Sequence, residues 1–147
     1  MKDYLCKAED FERLHEQASE QVCKKYGITL TALQILTFLD HHPERNTAKD
    51  ICSCRFIKNS IASMTIDKLV NRGYILRECD ERDRRVQRLK LTSEAEPVVQ
   101  DGRSMRRHFE DIVFRDFTEE EKNLFLSMID RICDSVQQAV DNYNEKR

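Results

Sequence analysis

Glycine and proline are scarce, three and two in 147 residues. So few turn formers argue against a β-sandwich, and 35% charged with 39% hydrophobic residues argues for a core rather than a disordered chain. A mainly helical single domain is expected. No apolar run approaches the roughly 20 residues that span a bilayer, and the N-terminus lacks an apolar signal core. A cytoplasmic protein with no membrane partner is therefore expected. Also missing are a Gly-rich phosphate loop, a Gly-x-Ser-x-Gly elbow and a cluster at metal-ligand spacing, so neither an enzyme nor a cofactor is expected.

Six cysteines are present, Cys6, Cys23, Cys52, Cys54, Cys79 and Cys133. Only Cys52 and Cys54 lie close, with no second pair or nearby His to complete a zinc site. On a helix, positions i and i+2 point about 200° apart, which disfavours shared ligation. Scattered, mostly buried, reduced thiols are the expectation, with no metal.

The net charge of -2 conceals an uneven distribution. From Arg55 to Lys90 ten basic residues (Arg55, Lys58, Lys68, Arg72, Arg77, Arg82, Arg84, Arg85, Arg88 and Lys90) stand against five acidic ones (Asp67, Glu78, Asp80, Glu81 and Asp83). That stretch carries +5 and the remainder -7. A basic module on an acidic scaffold can present one face to phosphates while the rest stays solvated.

Periodicity places the elements. Leu5, Ala8, Phe11, Leu14, Ala18 and Val22 recur at three and four residue spacing, giving a first amphipathic helix ending near Gly27. Thr31 opens a short, strongly apolar second helix through Leu33, Ile35, Leu36, Phe38 and Leu39, stopped by His41, His42 and Pro43. Thr47 with Asp50 resembles a capping box for a third helix, Ala48 to about Cys54. The fourth runs from about Lys58 to Arg72 with Gly73 as its C-terminal cap. Its apolar stripe of Ala62, Ile66, Leu69 and Val70 leaves Asn59, Ser60, Ser63, Met64 and Asp67 on the opposite side.

Between Tyr74 and Thr92 two alternating runs flank Asp80-Glu81-Arg82-Asp83-Arg84-Arg85, which predicts an antiparallel hairpin with a basic tip. Helix, helix, hairpin is the order of a winged helix-turn-helix. Thr92 or Ser93 is expected to cap a long fifth helix carrying Val98, Met105, Phe109, Ile112 and Val113. Thr118 with Glu121 forms a capping box for a sixth, with Leu124, Phe125, Met128, Ile129, Ile132, Cys133, Val136 and Val140 on one face. Stripes of this length need partners, and a second copy of the chain would supply them.

Over nearly its whole length the chain resembles the MarR family of bacterial transcription regulators. Asp80-Glu-Arg82-Asp83-Arg84-Arg85 fits that family's Asp-x-Arg-x-x-Arg wing and is followed by a strand ending at Leu91-Thr92. The run Asp67 to Ile75 matches the end of its recognition helix and the entry to its wing. The resemblance implies a homodimer on double-stranded DNA, in which each recognition helix enters a major groove and each wing an adjacent minor groove of a pseudo-palindromic operator. Residues 31–92 would form the DNA-binding lobe, and 1–30 with 93–147 the dimerisation region of one compact chain. Lys58, Asn59, Ser60, Ser63 and Met64 would face the major groove. Arg84 or Arg85 would enter the minor groove beside Arg82, and Thr47, Lys68 and Arg72 would touch phosphates. Asp80 and Asp83 would stabilise the wing by holding neighbouring Arg side chains. Met64 stands where many relatives carry Arg or a polar reader; it can make only apolar contacts, for example with a thymine methyl.

Such a regulator answers a small-molecule or redox effector. Cys6 lies about where peroxide-sensing relatives keep a reactive Cys, but Leu30 and Thr31 stand where that branch has tyrosines, so an inert thiol competes with the sensor reading. The imidazoles are His15, His41, His42 and His108, and Gln34 occupies the position where zinc-sensing relatives place His. A ligand crevice would be walled by His15 and the second and fifth helices. A winged-helix module that binds an acidic protein, without sequence-specific DNA binding, is the alternative function.

Overall fold

The computed structural model describes residues 5–55 and 57–145, with side chains other than those of 5–8, 137, 141, 144 and 145. Six α-helices and one hairpin follow in the order α1 (Leu5–Tyr26), α2 (Leu30–His41), α3 (Ala48–Arg55), α4 (Asn59–Asn71), β1 (Ile75–Cys79), β2 (Gln87–Leu91), α5 (Glu96–Val113) and α6 (Glu119–Glu145). None of these helices is long and apolar enough to cross a membrane. Two compact units result, Met1–Phe109 and Glu110–Arg147.

The first unit is built around α2. Thr29, two residues before the expected start, is its N-cap, with Oγ1 accepting from the Ala32 amide at 3.2 Å. The expected start at Thr31 falls two residues late, because the capping hydroxyl sits three residues upstream of the amide it accepts. Leu33, Ile35, Leu36 and Phe38 are buried almost completely. They cluster with Ile51 of α3, Ile66 and Leu69 of α4, Ile75 and Leu89 of the hairpin, and Val98 and Val99 of α5. Each such side chain contributes about 1.5–3 kcal/mol on burial, so α2 is the element the others assemble upon.

Polar ties fix the helices around it. Arg103 of α5 grips the Asp40 carboxylate of α2 with two donors, and that hydrogen bonding holds the carboxyl below its usual range. Lys25 of α1 reaches Asp101 of α5 at 2.6 Å, and the Tyr26 hydroxyl lies 2.9 Å from the same carboxylate. Gly27, at φ +59°, and Gly73, at φ +75°, end α1 and α4 in the left-handed conformation that glycine adopts without strain.

The hairpin pairs Ile75 with Leu91, Arg77 with Leu89 and Cys79 with Gln87. Its ladder extends one bond further, because the Leu89 amide donates to the Asn46 carbonyl at 2.8 Å, tying the wing to the segment before α3. Neither Thr92 nor Ser93 caps α5 by its side chain: a single 3-10 turn, Ser93–Ala95, precedes it, and the Thr92 hydroxyl donates to the Gly73 carbonyl at 2.5 Å. The expected cap is thus diverted into closing the base of the hairpin. Cysteine burial also differs from expectation. Cys79 and Cys133 are exposed and Cys23, Cys52 and Cys54 only partly covered, all with free thiols.

In the second unit the Thr118 and Glu121 capping box forms at 2.8 and 3.2 Å and starts α6. Phe114 meets Phe117 and Phe125 edge-on at centroid distances of 5.7 and 5.8 Å. Leu124, Met128, Ile132, Val136 and Val140 each remain about half exposed or more.

Gly102 marks the tightest approach of α5 to α2. A Cβ there would stand 2.8 Å from Thr37 Cγ2, and that methyl is fixed because Thr37 Oγ1 donates to the Leu33 carbonyl at 2.9 Å. On an open helix Gly→Ala gains up to about 1 kcal/mol, but overpacking costs typically about 1–3 kcal/mol. Gly102→Ala is expected to lower stability in urea denaturation at fixed protein concentration. Adding Thr37→Ser, which keeps the hydroxyl and removes the methyl, should recover most of the loss.

Candidate nucleic-acid interface

α4 is amphipathic in a way that decides its role. Ala62, Thr65, Ile66 and Leu69 point into the core, while Asn59, Ser60, Ile61, Ser63, Met64, Asp67 and Lys68 are exposed. Lys58 occupies the N-cap position without a side-chain cap bond and is exposed with Asn59 and Ser60 at the helix start. This end presents unpaired amides and a partial positive charge, which suits a phosphate. The single acid on the face, Asp67, accepts from Arg77 of β1 at 2.5 Å, so its charge is offset and α4 is braced against the hairpin.

α3 sits before α4 in the helix-turn-helix arrangement. Thr47 caps it reciprocally: its amide and hydroxyl donate to Asp50 at 3.1 and 2.6 Å, and the Asp50 amide donates back to Thr47 Oγ1 at 3.1 Å. The Thr47 hydroxyl proton is therefore engaged within the fold. Arg72 has a similar tie, donating from Nη1 to the Tyr26 carbonyl at 3.0 Å and joining the ends of α4 and α1. Lys68 stays exposed on the outer face.

At the wing tip Asp80 gathers three donors: the Arg82 and Asp83 amides at 2.9 and 3.0 Å and Arg88 Nε at 2.7 Å. Asp83 accepts the Arg85 amide at 2.9 Å. The two carboxylates thus hold backbone amides, not the neighbouring Arg side chains expected from the sequence. The one guanidinium that Asp80 binds belongs to Arg88 on β2, which also donates to Asn46 Oδ1 at 3.1 Å. A short carboxylate reaches amides two and three residues ahead more readily than it reaches the end of a long side chain. Arg82, Arg84 and Arg85 are left exposed, their side chains making no hydrogen bond or ion pair among the described residues. Asn46, Arg77 and Arg88 were not singled out as wing supports by sequence; a polar residue inside a strand was the only available hint.

One guanidinium and one imidazole pack on a ring of α2. The Arg55 guanidinium lies over the Phe38 ring, 5.6 Å from its centroid, and His42 packs on the same ring at 4.9 Å. His15 meets Phe109 edge-on at 5.4 Å. Burial, and then the charge of Arg55, push His15 below its ordinary value; burial and then Arg106 do the same to His41. His42 thus packs on the lobe through Phe38, while His41, the last residue of α2, stays exposed. No group of three or more metal-ligating side chains occurs among the described residues. Cys6 falls in α1, and its side chain lies outside those described.

The wing's dependence on Asp80 has a pH signature. The Arg88 bond first, then the two amides, hold its carboxyl down to about 2 from an ordinary 3.8. A depressed acid stabilises the fold fully above its unfolded value and loses that contribution as pH falls through the folded one. Carboxyl-carbon NMR should show Asp80 titrating near 2, with Arg88→Ala moving the midpoint upward. A midpoint at the ordinary 3.8 in the parent protein would contradict this bonding.

Comparison with known proteins agrees with this arrangement. The sequence model of the MarR family matches residues 26–86, from the end of α1 through the wing tip. The HTH-type transcriptional regulator BilQ of Clostridium symbiosum is 24% identical over 109 residues, covering 74% of this chain and 75% of that protein. Among solved structures, MarR superposes with a TM-score of 0.74 at 22% identity over 95% of both chains. The S. aureus MepR–DNA complex gives 0.72 at 19% identity, over 92% of this chain and 96% of that one. A MarR transcriptional regulator from Methanosarcina mazei Go1 gives 0.76 at 20% identity, over 95% and 93%. Residues 26–86 thus match the sequence model of the MarR family, from the end of α1 through the helix-turn-helix to the wing tip, and the chain shares its fold with the solved MarR-family structures.

Proposed function

We propose that the protein is a homodimeric repressor that binds a pseudo-palindromic operator in double-stranded DNA and is released by a small-molecule or redox effector. The observation that carries this reading is the wing tip: three exposed arginines on a loop whose backbone amides are held by two aspartates, beside the exposed polar face of α4. A pre-ordered cationic loop loses little entropy on meeting a phosphate backbone, and a narrow A·T minor groove attracts Arg. Lys58, Asn59, Ser60, Ser63 and Met64 read the major groove, Arg84 or Arg85 the minor groove, and Lys68 a phosphate. Thr47 and Arg72 contribute chiefly by fixing α3 and α4, given their internal bonds. The MepR–DNA complex, which shares the fold, supports duplex DNA as the partner.

Residues 1–30 and 93–147 form the dimerisation region and 31–92 the reading lobe. The half-exposed apolar row of α6 supports a second copy as its cover, since a row of that length exceeds the patches monomers normally expose. The dimer helices set the separation of the two α4 helices at about one helical turn, roughly 10 base pairs. An effector that shifts this separation by a few ångströms undocks one half-site, and repression by blocking polymerase ends. The Arg55 guanidinium, held over the Phe38 ring of α2, suits an anionic effector.

Selection of sites from a random duplex pool tests the whole reading. A two-fold symmetric site with half-sites about one turn apart is expected; no enrichment would leave the wing to an acidic protein partner. On the selected site, Arg84→Ala and Arg85→Ala should weaken binding and each lower the salt slope by about 1. Ile132→Asp should yield monomers in sedimentation, with loss of tight operator binding. A dimer that persists with Asp at position 132 would place the interface elsewhere.

A further inference from the structure

Two exposed hydrocarbon side chains on α4 have no partner in the core. Ile61 is 41% exposed and Met64 53% exposed. Both sit apart from the buried stripe of Ala62, Thr65, Ile66 and Leu69. At positions i and i+3 they are adjacent on the helix surface, and Lys68 continues the same line one turn on. Neither Ile nor Met can donate a strong hydrogen bond. Pressed against the nitrogen and oxygen edges of a base pair they would strip water from groups they cannot satisfy, which is unfavourable. The one protruding apolar group that a DNA major groove offers is the thymine C5-methyl.

We infer that Ile61 and Met64 together form an apolar clamp that selects thymine methyls in each operator half-site. This rests on the DNA-binding reading and deepens it: beside Met64, whose contact with a thymine methyl the sequence already suggested, it adds a second reader, Ile61, and makes the pair a selective one. Placement in a basic frame argues for DNA as the occupant: Lys58 begins the helix, Lys68 flanks the pair, and Arg77 offsets the sole acid of the face, Asp67. A second copy of the chain is the poorer occupant. Two side chains fall far below the roughly 800 Å² per partner of a stable interface, whereas α6 carries a much longer apolar row. The neighbouring Ser60 and Ser63 supply polar contacts to the adjoining base edges, so the face reads methyl and hydrogen-bond pattern side by side.

Deoxyuridine tests this without altering the protein, because it removes the methyl and keeps every hydrogen-bonding group. In the site obtained by selection, each thymine is replaced singly and in symmetry-related pairs. At one or more positions per half-site the loss should be about fourfold per methyl, and about sixteenfold for a symmetric pair. With Ile61→Ala or Met64→Ala protein, shown by circular dichroism to be folded, thymine and uracil at that position should bind alike. If every uracil duplex binds within about twofold of its parent while scrambled sequence still abolishes binding, the clamp is overturned and the DNA reading stands. A uracil effect undiminished in both variants would assign it to duplex flexibility and also overturn the clamp. Failure to select any site would remove both readings together.

Discussion

An apolar helix of twelve residues cannot remain at a surface, and the burial of α2 governs the rest of the first unit. Leu33, Ile35, Leu36 and Phe38 face more than one direction around the helix, so cover is needed on several sides. The cover comes from α3 and α4, from the inner face of the hairpin and from α5. Because α4 and the hairpin share this support and are also tied directly by the Asp67–Arg77 pair, the outer face of α4 and the wing are held in fixed relation. Gly102 and the Asp40–Arg103 grip then set how closely α5 may approach. Loss of any large α2 side chain would loosen the site and the scaffold alike, at a cost of about 2–5 kcal/mol.

Electrostatics refine this arrangement more than they hold it together. The pairs Asp67–Arg77, Glu78–Lys90 and Asp80–Arg88 are all at least partly exposed, a setting in which an ion pair is worth little by itself. What they achieve is sorting. Three acids of the basic segment, Asp67, Glu78 and Asp80, are bound by Arg77, Lys90 and Arg88, whose side chains lie along the hairpin, which leaves Arg82, Arg84 and Arg85 as the hairpin's unpaired bases among the described residues. The tip therefore presents three guanidinium groups beside the carboxylates of Glu81 and Asp83, with Asp80 neutralised by Arg88. A net charge of -2 for the chain is compatible with that, since the potential near a surface depends on the charges within about a Debye length, roughly 8–10 Å.

The order of helices, the hairpin, the Thr47 and Thr118 capping boxes and the Gly73 cap were legible because each depends on residues within a few positions of one another. Exposure of the Asn59, Ser60, Ser63 and Met64 face followed from helical period alone. Less legible was everything decided by residues far apart. Asp80 and Asp83 were read as clamps on arginine side chains, and their true partners are backbone amides plus Arg88, eight residues on in the opposite strand. Thr92 looked like a helix cap until the nearby Gly73 carbonyl is seen to take its proton. Partial exposure of the thiols likewise reflects which helices meet, which local pattern does not encode.

The two kinds of bond at the wing also explain why its order and its charge can be separated. Amide-to-carboxylate bonds fix the backbone of residues 80–85 and use none of the tip arginines' guanidinium groups. A loop ordered by its arginines would have to break those contacts before touching DNA and would lose part of the binding energy in doing so. Here the groups that order the loop and the groups that are exposed are different, so a contact made by the Arg84 or Arg85 guanidinium would leave the turn intact. The same division holds on α4, where Thr65, Ile66 and Leu69 anchor the helix and a separate set of side chains faces outward. Changes in the outward side chains are therefore possible without changes in how the lobe folds.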